Sequence, residues 1–251
     1  MPLIIANWKM NPATLTEAKD LFLQIKKVSI KNRKSTVVVC PPFLFIESLR
    51  KFTAPKISLG AQDVFWELEG AYTGEISPLQ LYESGARYVI VGHYERRTRI
   101  TLNETDEVIN KKLKASLKAG LKPILCVGES KRDEAGNFLH FIKRQLELDL
   151  AGVKKTDLKN LIIAYEPIWT VGRDAKRKAL PEECREIVVF IKKVLADMFG
   201  RNAMEKVQII YGGSVDSKNA RDYLTTGSAQ GLLVGRESLR PKEFNEILKS
   251  I

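Results

Sequence analysis

Short apolar runs separated by amphipathic segments constrain this chain more than any other feature of its sequence. Most of the runs are continuously apolar rather than alternating, which is typical of strands buried on both faces of a parallel sheet. Eight of them recur along the 251 residues, at 3–8, 36–40, 57–61, 88–91, 124–127, 161–165, 207–211 and 231–234.

The segments between the runs carry apolar residues at helical spacing, as in Leu15, Ala18, Leu21 and Phe22. Pro181 followed by two acidic residues is typical of a helix start. Eight strand–helix units within about 250 residues predict an α/β fold, a closed (β/α)8 barrel in which residues 1–251 form a single domain.

The alternative fold is an open, doubly wound sheet, which usually carries a glycine-rich turn after its first strand. Here the first strand leads into Asn7-Trp8-Lys9-Met10-Asn11, which contains no glycine. This turn therefore favours the barrel.

The net charge of +11 is compatible either with nucleic-acid binding or with a field that attracts anionic metabolites. The basic residues are spread over predicted helix faces and one charged loop at 173–178. No ladder of aromatic residues interleaves with them, as a single-strand binder requires. We therefore expect no nucleic acid as the primary partner.

The three cysteines are far apart and there are only two histidines, so no spacing suggests a metal site. No apolar run approaches the roughly 18 to 20 residues that a membrane span needs, and the N-terminus lacks the features of a signal peptide. We expect reduced cysteines, no membrane contact and a cytoplasmic location.

In a barrel of this kind, the residues that carry chemistry follow the carboxyl ends of the strands. Asn7 and Lys9 follow the first run, His93 and Glu95 follow the fourth, and Glu166 follows the sixth. Taken singly, each residue could have a purely structural role instead of a catalytic one. Glu166 could cap a helix, Asn7 could close a turn, His93 could be a hydrogen-bonded core residue and Lys9 could be a surface charge. Their joint placement favours proton transfer next to a carbonyl group, with a carboxylate base and electrophiles that stabilise an enediolate.

Glycine-containing turns follow the seventh and eighth runs, in Tyr211-Gly212-Gly213-Ser214-Val215 and in Val234-Gly235-Arg236. Glycines allow backbone N–H groups to approach an anion, and a following short helix adds its N-terminal dipole. One such turn alone only indicates a change of direction. Two on consecutive strands predict a phosphate site.

Five motifs together resemble the signature blocks of the triosephosphate isomerase family, in that family's order and over essentially the whole chain. They are Asn7-Trp8-Lys9-Met10-Asn11, Gly92-His93-x-Glu95-Arg96-Arg97, Leu125-Cys126-Val127-Gly128-Glu129, Ala164-Tyr165-Glu166-Pro167-x-Trp169 and Tyr211-Gly212-Gly213-Ser214-Val215. The resemblance implies an isomerase of glycolysis and gluconeogenesis that interconverts dihydroxyacetone phosphate and glyceraldehyde 3-phosphate. It implies no metal and no organic cofactor.

The resemblance also implies a role for each site residue. Glu166 abstracts the carbon-bound proton and returns it to the neighbouring carbon, while a neutral His93, whose charge a helix N-terminus disfavours, polarises the substrate oxygens. Lys9 stabilises the negative charge and contacts the substrate together with Asn7, and Glu95 lies close by. The phosphate is held by backbone N–H groups of Gly172, Ser214, Gly235 and Arg236.

Members of this family are usually homodimers in which the third loop inserts into the neighbouring subunit. Here that loop is 62–74, and Thr73 matches the threonine that approaches the neighbour's lysine. Phe65 and Trp66 are apolar enough to occupy a partner pocket. The alternative is that they pack on their own barrel.

Three positions depart from the family pattern. The lid after Trp169 lacks the second glycine of its tip and is longer by about two residues at 173–178, which removes easy access to positive φ. Tyr94 stands where the family has serine, and Arg236 replaces the second glycine after the eighth strand.

Two alternative functions remain open at this point. Another phosphate-sugar barrel isomerase or synthase would share the two glycine-containing turns but not the combination of Asn7, Lys9, His93 and Glu166. A non-catalytic basic barrel, acting as a scaffold or binding RNA, would use the charge and would be expected to lack these side chains.

Overall fold

A computed structural model of the chain describes residues 1–32, 34–98, 103–171, 175 and 177–251. Each strand in it coincides with a predicted apolar run to within two residues at either end. The strands are β1 Leu3–Asn7, β2 Thr36–Cys40, β3 Ile57–Ala61, β4 Ala86–Val91, β5 Lys122–Val127, β6 Ile162–Tyr165, β7 Gln208–Tyr211 and β8 Gly231–Val234.

The strands form a closed parallel barrel in sequence order. Every strand pairs with the next one, and β8 closes the ring on β1, with Gly231 opposite Leu3. A Cβ atom on Gly231 would lie 2.1 Å from the carbonyl oxygen of Leu3, so this seam requires glycine. The predicted closed (β/α)8 architecture is confirmed, and the open doubly wound alternative is excluded.

Helices surround the barrel and connect successive strands. In the described ranges they are α1 Leu15–Lys31, α2 Ile46–Arg50, α3 Pro78–Glu83, α4 Tyr94–Thr98, α5 Asp106–Lys118, α6 Asn137–Asp149, α7 Pro181–Phe199, α8 Arg201–Met204, α9 Ala220–Leu224 and α10 Pro241–Ser250. Short 3-10 turns lie at Phe43–Phe45, Leu158–Asn160, Ile168–Thr170 and Arg236–Leu239. No helix of the described part is long and apolar enough to cross a membrane.

Local sequence accounts for the starts of the long helices. Thr14 caps α1 in a reciprocal arrangement with Glu17, each bonding the other's backbone N–H. The Glu183 carboxylate accepts a hydrogen bond from the N–H of Leu180 at 2.7 Å, just ahead of Pro181, which opens α7. These contacts satisfy N–H groups that have no partner within the helix.

Apolar side chains form two separate buried layers. The larger layer lies between the strands and the surrounding helices. The smaller one fills the barrel interior with side chains such as Ile5, Ile90, Ile124, Ala164 and Ile210. Because both faces of every strand are buried, the strands read as continuous apolar runs, and the chemistry is confined to the strand ends.

A buried ionic cluster ties the connections after β3 and β4 to helix α5. The ammonium of Lys112, whose side chain is 5% exposed, contacts Asp63 at 2.7 Å and Glu104 at 2.5 Å. Arg96 reaches the same two carboxylates at 2.8 and 2.6 Å. Removing one of the two cations leaves two buried carboxylates with a single counter-charge, and the uncompensated charge costs more than the pair itself contributes.

We expect Lys112→Met to lower the free energy of unfolding by about 3 to 5 kcal/mol, since Asp63 and Glu104 would be left with Arg96 as their one remaining cation and one buried negative charge would be uncompensated. Urea unfolding at fixed protein concentration measures the change. Lys114→Met, at an exposed position on the same helix, is the matched control and should stay within about 0.5 kcal/mol of wild type. Equal effects of the two substitutions would contradict the interpretation.

Candidate active site

A cavity of about 660 Å3 opens at the carboxyl ends of the strands. Its walls come from the turns after β1, β4, β6, β7 and β8. The residues lining it include Asn7, Lys9, Asn11, His93, Tyr94, Glu95, Glu166, Thr170, Lys178, Ser214, Gly235 and Arg236. All the catalytic candidates named from the sequence therefore surround one space.

Glu166 is held at the wall of this cavity directly after β6. Glu166 is only 2% exposed, and its backbone N–H donates to the carbonyl of Val127 at 2.8 Å. One carboxylate oxygen accepts the N–H of Tyr94 at 3.1 Å, and the other lies 3.2 Å from Nε2 of His93. The backbone of residue 94 therefore holds the glutamate, whatever side chain stands there.

His93 presents Nε2 to the cavity, and its Nδ1 atom is occupied on the other side. The N–H of Glu95 approaches Nδ1 at 3.3 Å, so Nδ1 acts as an acceptor and the proton of the neutral ring belongs on Nε2. Burial is the main cause that lowers the pKa of His93. The positive charges of Lys9 and Arg96 lower the pKa further, against opposing contributions from Glu166 and Glu95.

Lys9 occupies a left-handed backbone conformation with φ of 53°, which is uncommon for a residue with a long side chain. Two neighbours stabilise it: the side chain of Gln62 donates to the Lys9 carbonyl at 2.8 Å, and Oδ1 of Asn7 accepts the Lys9 N–H at 3.0 Å. The Lys9 ammonium lies 2.6 Å from Glu95. Local strain thus aims this cation into the cavity.

Glu95 connects the lysine to the histidine. Burial acts to raise the pKa of Glu95, but the hydrogen bond from Lys9 and the charges of His93 and Lys9 outweigh it and lower the pKa. Its second oxygen is 3.7 Å from Nδ1 of His93. The ionised carboxylate therefore balances Lys9 while no substrate is bound.

The turns after β7 and β8 form the part of the wall between Glu166, after β6, and Lys9, after β1. A Cβ atom on Gly213 would lie 2.1 Å from the Tyr211 hydroxyl, so a side chain there would displace the turn. The Ser214 hydroxyl donates to the Thr170 carbonyl at 2.7 Å. Gly235 precedes the 3-10 turn Arg236–Leu239, and backbone N–H groups at such a start are suited to an anion.

The segment after β6 is anchored at both of its described ends. At its start, the indole N–H of Trp169 donates to Glu129 at 2.8 Å. At its end, Arg177 binds Glu183 at 2.6 Å and lies over the Trp169 ring at 4.6 Å, while Lys178 pairs with Asp216. The predicted phosphate ligand Gly172, and half of the predicted 173–178 tip, lie outside the described residues.

Sequence reasoning missed three contributors to the site. Gln62 and the Tyr94 N–H act on Lys9 and Glu166 through the backbone, and a single sequence carries no signal for such contacts. The pairing of Lys178 with Asp216 joins segments that are 38 residues apart. The cause of the low pKa of His93 also differs from the expectation, since burial rather than the following helix is the main one.

Of the predicted dimer residues, Phe65 is 7% exposed within its own chain and its ring centroid lies 4.1 Å from that of Trp66. Thr73 is exposed at the tip of the same loop. Among the described residues, no group of three or more His, Cys, Asp or Glu is arranged to hold a metal ion. The three cysteines are free thiols buried in the protein.

This arrangement suits proton transfer at a carbon next to a carbonyl group. It offers a buried carboxylate as base, a neutral imidazole N–H as hydrogen-bond donor, and an ammonium where negative charge would develop. The turns after β7 and β8 can hold an anionic end of the substrate.

Comparison with known proteins gives consistent results. The family model described as triosephosphate isomerase matches residues 2–251. A relative named triosephosphate isomerase from Dictyoglomus thermophilum is 41% identical over 99% of this chain and 98% of its own length. Relatives of the same name from Alkaliphilus oremlandii and Clostridium botulinum are 41% and 40% identical, each over 98% of both chains.

We expect His93 to stay neutral, with its proton on Nε2, as the pH is lowered through its ordinary pKa of 6.5, because burial lowers the pKa of the folded protein. Histidine 15N NMR reports charge and tautomer, and exposed His140 gives the comparison signal. The neutral ring contributes stability above pH 6.5 that is lost as the pH falls through the lowered pKa. A doubly protonated His93 above pH 6.5 would contradict this.

Proposed function

The chain belongs to the triosephosphate isomerase family, and on that premise we propose that it interconverts dihydroxyacetone phosphate and D-glyceraldehyde 3-phosphate through the residues of the large cavity. The observation that carries the assignment of roles is the contact of Glu166 with His93 at 3.2 Å, within a cavity that Lys9 also lines. A base, a neutral donor and a cation are then all within reach of one small substrate.

The proton transfer follows from the chemistry of these three side chains. The carboxylate of Glu166 takes the proton from the carbon next to the carbonyl, and the electron pair moves onto oxygen to form an enediolate. The same carboxyl group then returns the proton to the adjacent carbon. One proton also passes from the hydroxyl oxygen to the former carbonyl oxygen, a transfer that the His93 ring at these oxygens can mediate, and the isomerisation is complete without a net change in oxidation state. No step in this sequence requires a metal or an organic cofactor.

The electrophilic groups act where the negative charge develops. The Nε2–H of His93 donates to the substrate oxygens, and a neutral ring suits this task because it leaves no buried positive charge when the substrate departs. The ammonium of Lys9 adds electrostatic stabilisation, with Asn7 holding the Lys9 backbone N–H at 3.0 Å. Glu95, at 2.6 Å from the ammonium, positions Lys9 before the substrate arrives.

The phosphate is held by the turns after β7 and β8. Backbone N–H groups of Ser214, Gly235 and Arg236, with Gly172 from the lid, supply hydrogen bonds and the positive end of a short helical turn. Arg236 also lines this cavity and is exposed to solvent. Guanidinium groups bind phosphate in bidentate fashion, so Arg236 can contribute charge in addition to its backbone N–H.

We also propose a homodimer, a single domain over residues 1–251, and a cytoplasmic role in glycolysis and gluconeogenesis. Exposed Thr73 and the exposed apolar residues Met10, Leu44 and Tyr72 support the dimer. Of the three predicted interface residues, Phe65 is buried in its own subunit, whereas Trp66 and Thr73 are accessible to a partner. Free thiols at all three cysteines suit a reducing compartment.

The proposal is tested by Glu166→Asp. Shortening the base by one methylene moves the carboxylate by about 1 Å, and kcat should fall by at least about 100-fold while the fold is retained. A coupled assay with glyceraldehyde 3-phosphate measures kcat, and circular dichroism checks the fold. Glu182→Asp, at an exposed position on α7, is the control and should leave kcat unchanged; an equally active Glu166→Asp enzyme would refute the assignment.

Replacing Arg236 by glycine separates the charge of this residue from its backbone N–H. Arg236→Gly should raise KM for glyceraldehyde 3-phosphate by about three- to tenfold, because one charge-assisted contact with phosphate is lost. Turnover of unphosphorylated glyceraldehyde serves as the control reaction, since it has no phosphate to bind. A similar loss with both substrates would show that the arginine acts on the fold of the turn instead.

A further inference from the structure

A second cavity, of about 250 Å3, opens at the amino-terminal mouth of the barrel. It lies at the opposite end of the strands from Glu166, and the proposed isomerisation does not use it. The side chains that matter for its chemistry are those of Tyr88, Lys122, Lys159, Asn160, Glu205 and Lys206.

Strand pairing places two of these residues side by side, since Tyr88 of β4 pairs with Lys122 of β5. Asn160 and Lys206 lie outside the strands. Asn160 ends the 3-10 turn Leu158–Asn160 ahead of β6, and Lys206 lies in the turn ahead of β7. These two connections bring Asn160 and Lys206 to the same mouth of the barrel as Lys122.

Tyr88 and Lys122 lie on the inner face of the barrel wall. Ile124 and Ile162 belong to the apolar cluster inside the barrel, and Tyr88 packs against that cluster. Residues two apart on a strand share a face, so Lys122 is directed to the same side as Ile124. At the amino-terminal end of the barrel, the buried apolar side chains therefore give way to polar side chains, which line the second cavity.

The charges around this cavity are unbalanced. Three ammonium groups, from Lys122, Lys159 and Lys206, share it with one carboxylate, Glu205. Within the described ranges, none of these four groups forms an ion pair. The nearest ring contact places the Lys122 ammonium 5.5 Å from the centre of the Tyr88 ring. Burial raises the pKa of Tyr88, so its phenol stays protonated and can donate.

We propose that this mouth of the barrel is a second anion site, which binds a compact anion carrying two or more negative charges, such as a diphosphate. The volume is below the roughly 300 to 1,000 Å3 typical of sites for larger ligands, which favours a small anion over a nucleotide. The helices that precede each strand direct their carboxyl ends toward this mouth, so side chains rather than helix dipoles must supply the positive charge.

Calorimetric titration with inorganic pyrophosphate tests the proposal. Saturating glycerol 3-phosphate, which has the phosphate of the substrate but no carbonyl group, is kept in every sample to fill the large cavity. Wild type should bind one pyrophosphate under these conditions. Lys122→Gln and Lys206→Gln should each weaken that binding by about three- to tenfold, and Glu205→Gln should strengthen it.

Lys193→Gln is the matched control, because it removes one positive charge from an exposed site on α7 outside the cavity. It should leave pyrophosphate binding within about twofold of wild type. None of these variants should change isomerase activity, which keeps the outcome separate from that of the proposed function.

Three results would overturn the second anion site. The first is that no pyrophosphate binds beside saturating glycerol 3-phosphate, which would mean that the anion competes for the large cavity. The second is an equal effect of Lys193→Gln and Lys122→Gln, which would indicate only the general field of the +11 charge. The third is that neither Lys122→Gln nor Lys206→Gln changes pyrophosphate binding.

Discussion

Closure of the parallel barrel is the constraint on which everything else in this protein depends. The pairing of β8 with β1 completes a ring that brings the turns after all eight strands to one end of the barrel. An open sheet would spread Lys9, His93 and Glu166 along an edge. The ring instead places these residues, from the first, fourth and sixth strands, around one cavity. The glycine at the β8 seam matters because a side chain there would meet the backbone of β1.

Within that ring, burial and charge act together to define the state of each catalytic candidate. The imidazole of His93 is kept neutral chiefly by removal from water, and the nearby cations reinforce this. The carboxylate of Glu95 stays ionised because Lys9 lies 2.6 Å away. The neutral imidazole of His93 and the charged ammonium of Lys9 can lie close together because His93 contacts Glu166 while Lys9 is paired with Glu95. The strained backbone at Lys9 is stabilised by Gln62 and Asn7.

The two ends of the barrel differ in the source of their positive charge. At the carboxyl end, where we propose that phosphate binds, backbone N–H groups and the start of the 3-10 turn Arg236–Leu239 lie at the cavity, so few charged side chains are needed. At the amino end, helix carboxyl termini approach the mouth, and lysines at the start of β5 and in the connections ahead of β6 and β7 supply the charge. The net charge of +11 thus includes specific contributions at both ends of the barrel. It is not only a property of solvated helix faces.

The sequence by itself determined the eight strands, the barrel and the identity of the reactive side chains. Strands buried on both faces must be continuously apolar, and a lysine, a histidine and a glutamate at strand ends have few other joint uses. The tertiary structure alone decided how these groups are held. The Tyr94 N–H on Glu166, the Gln62 amide on the Lys9 carbonyl and the pairing of Lys178 with Asp216 link segments remote in sequence. Backbone groups are the same in every residue and long-range neighbours leave no local pattern, so these contacts become visible only once the ring is closed.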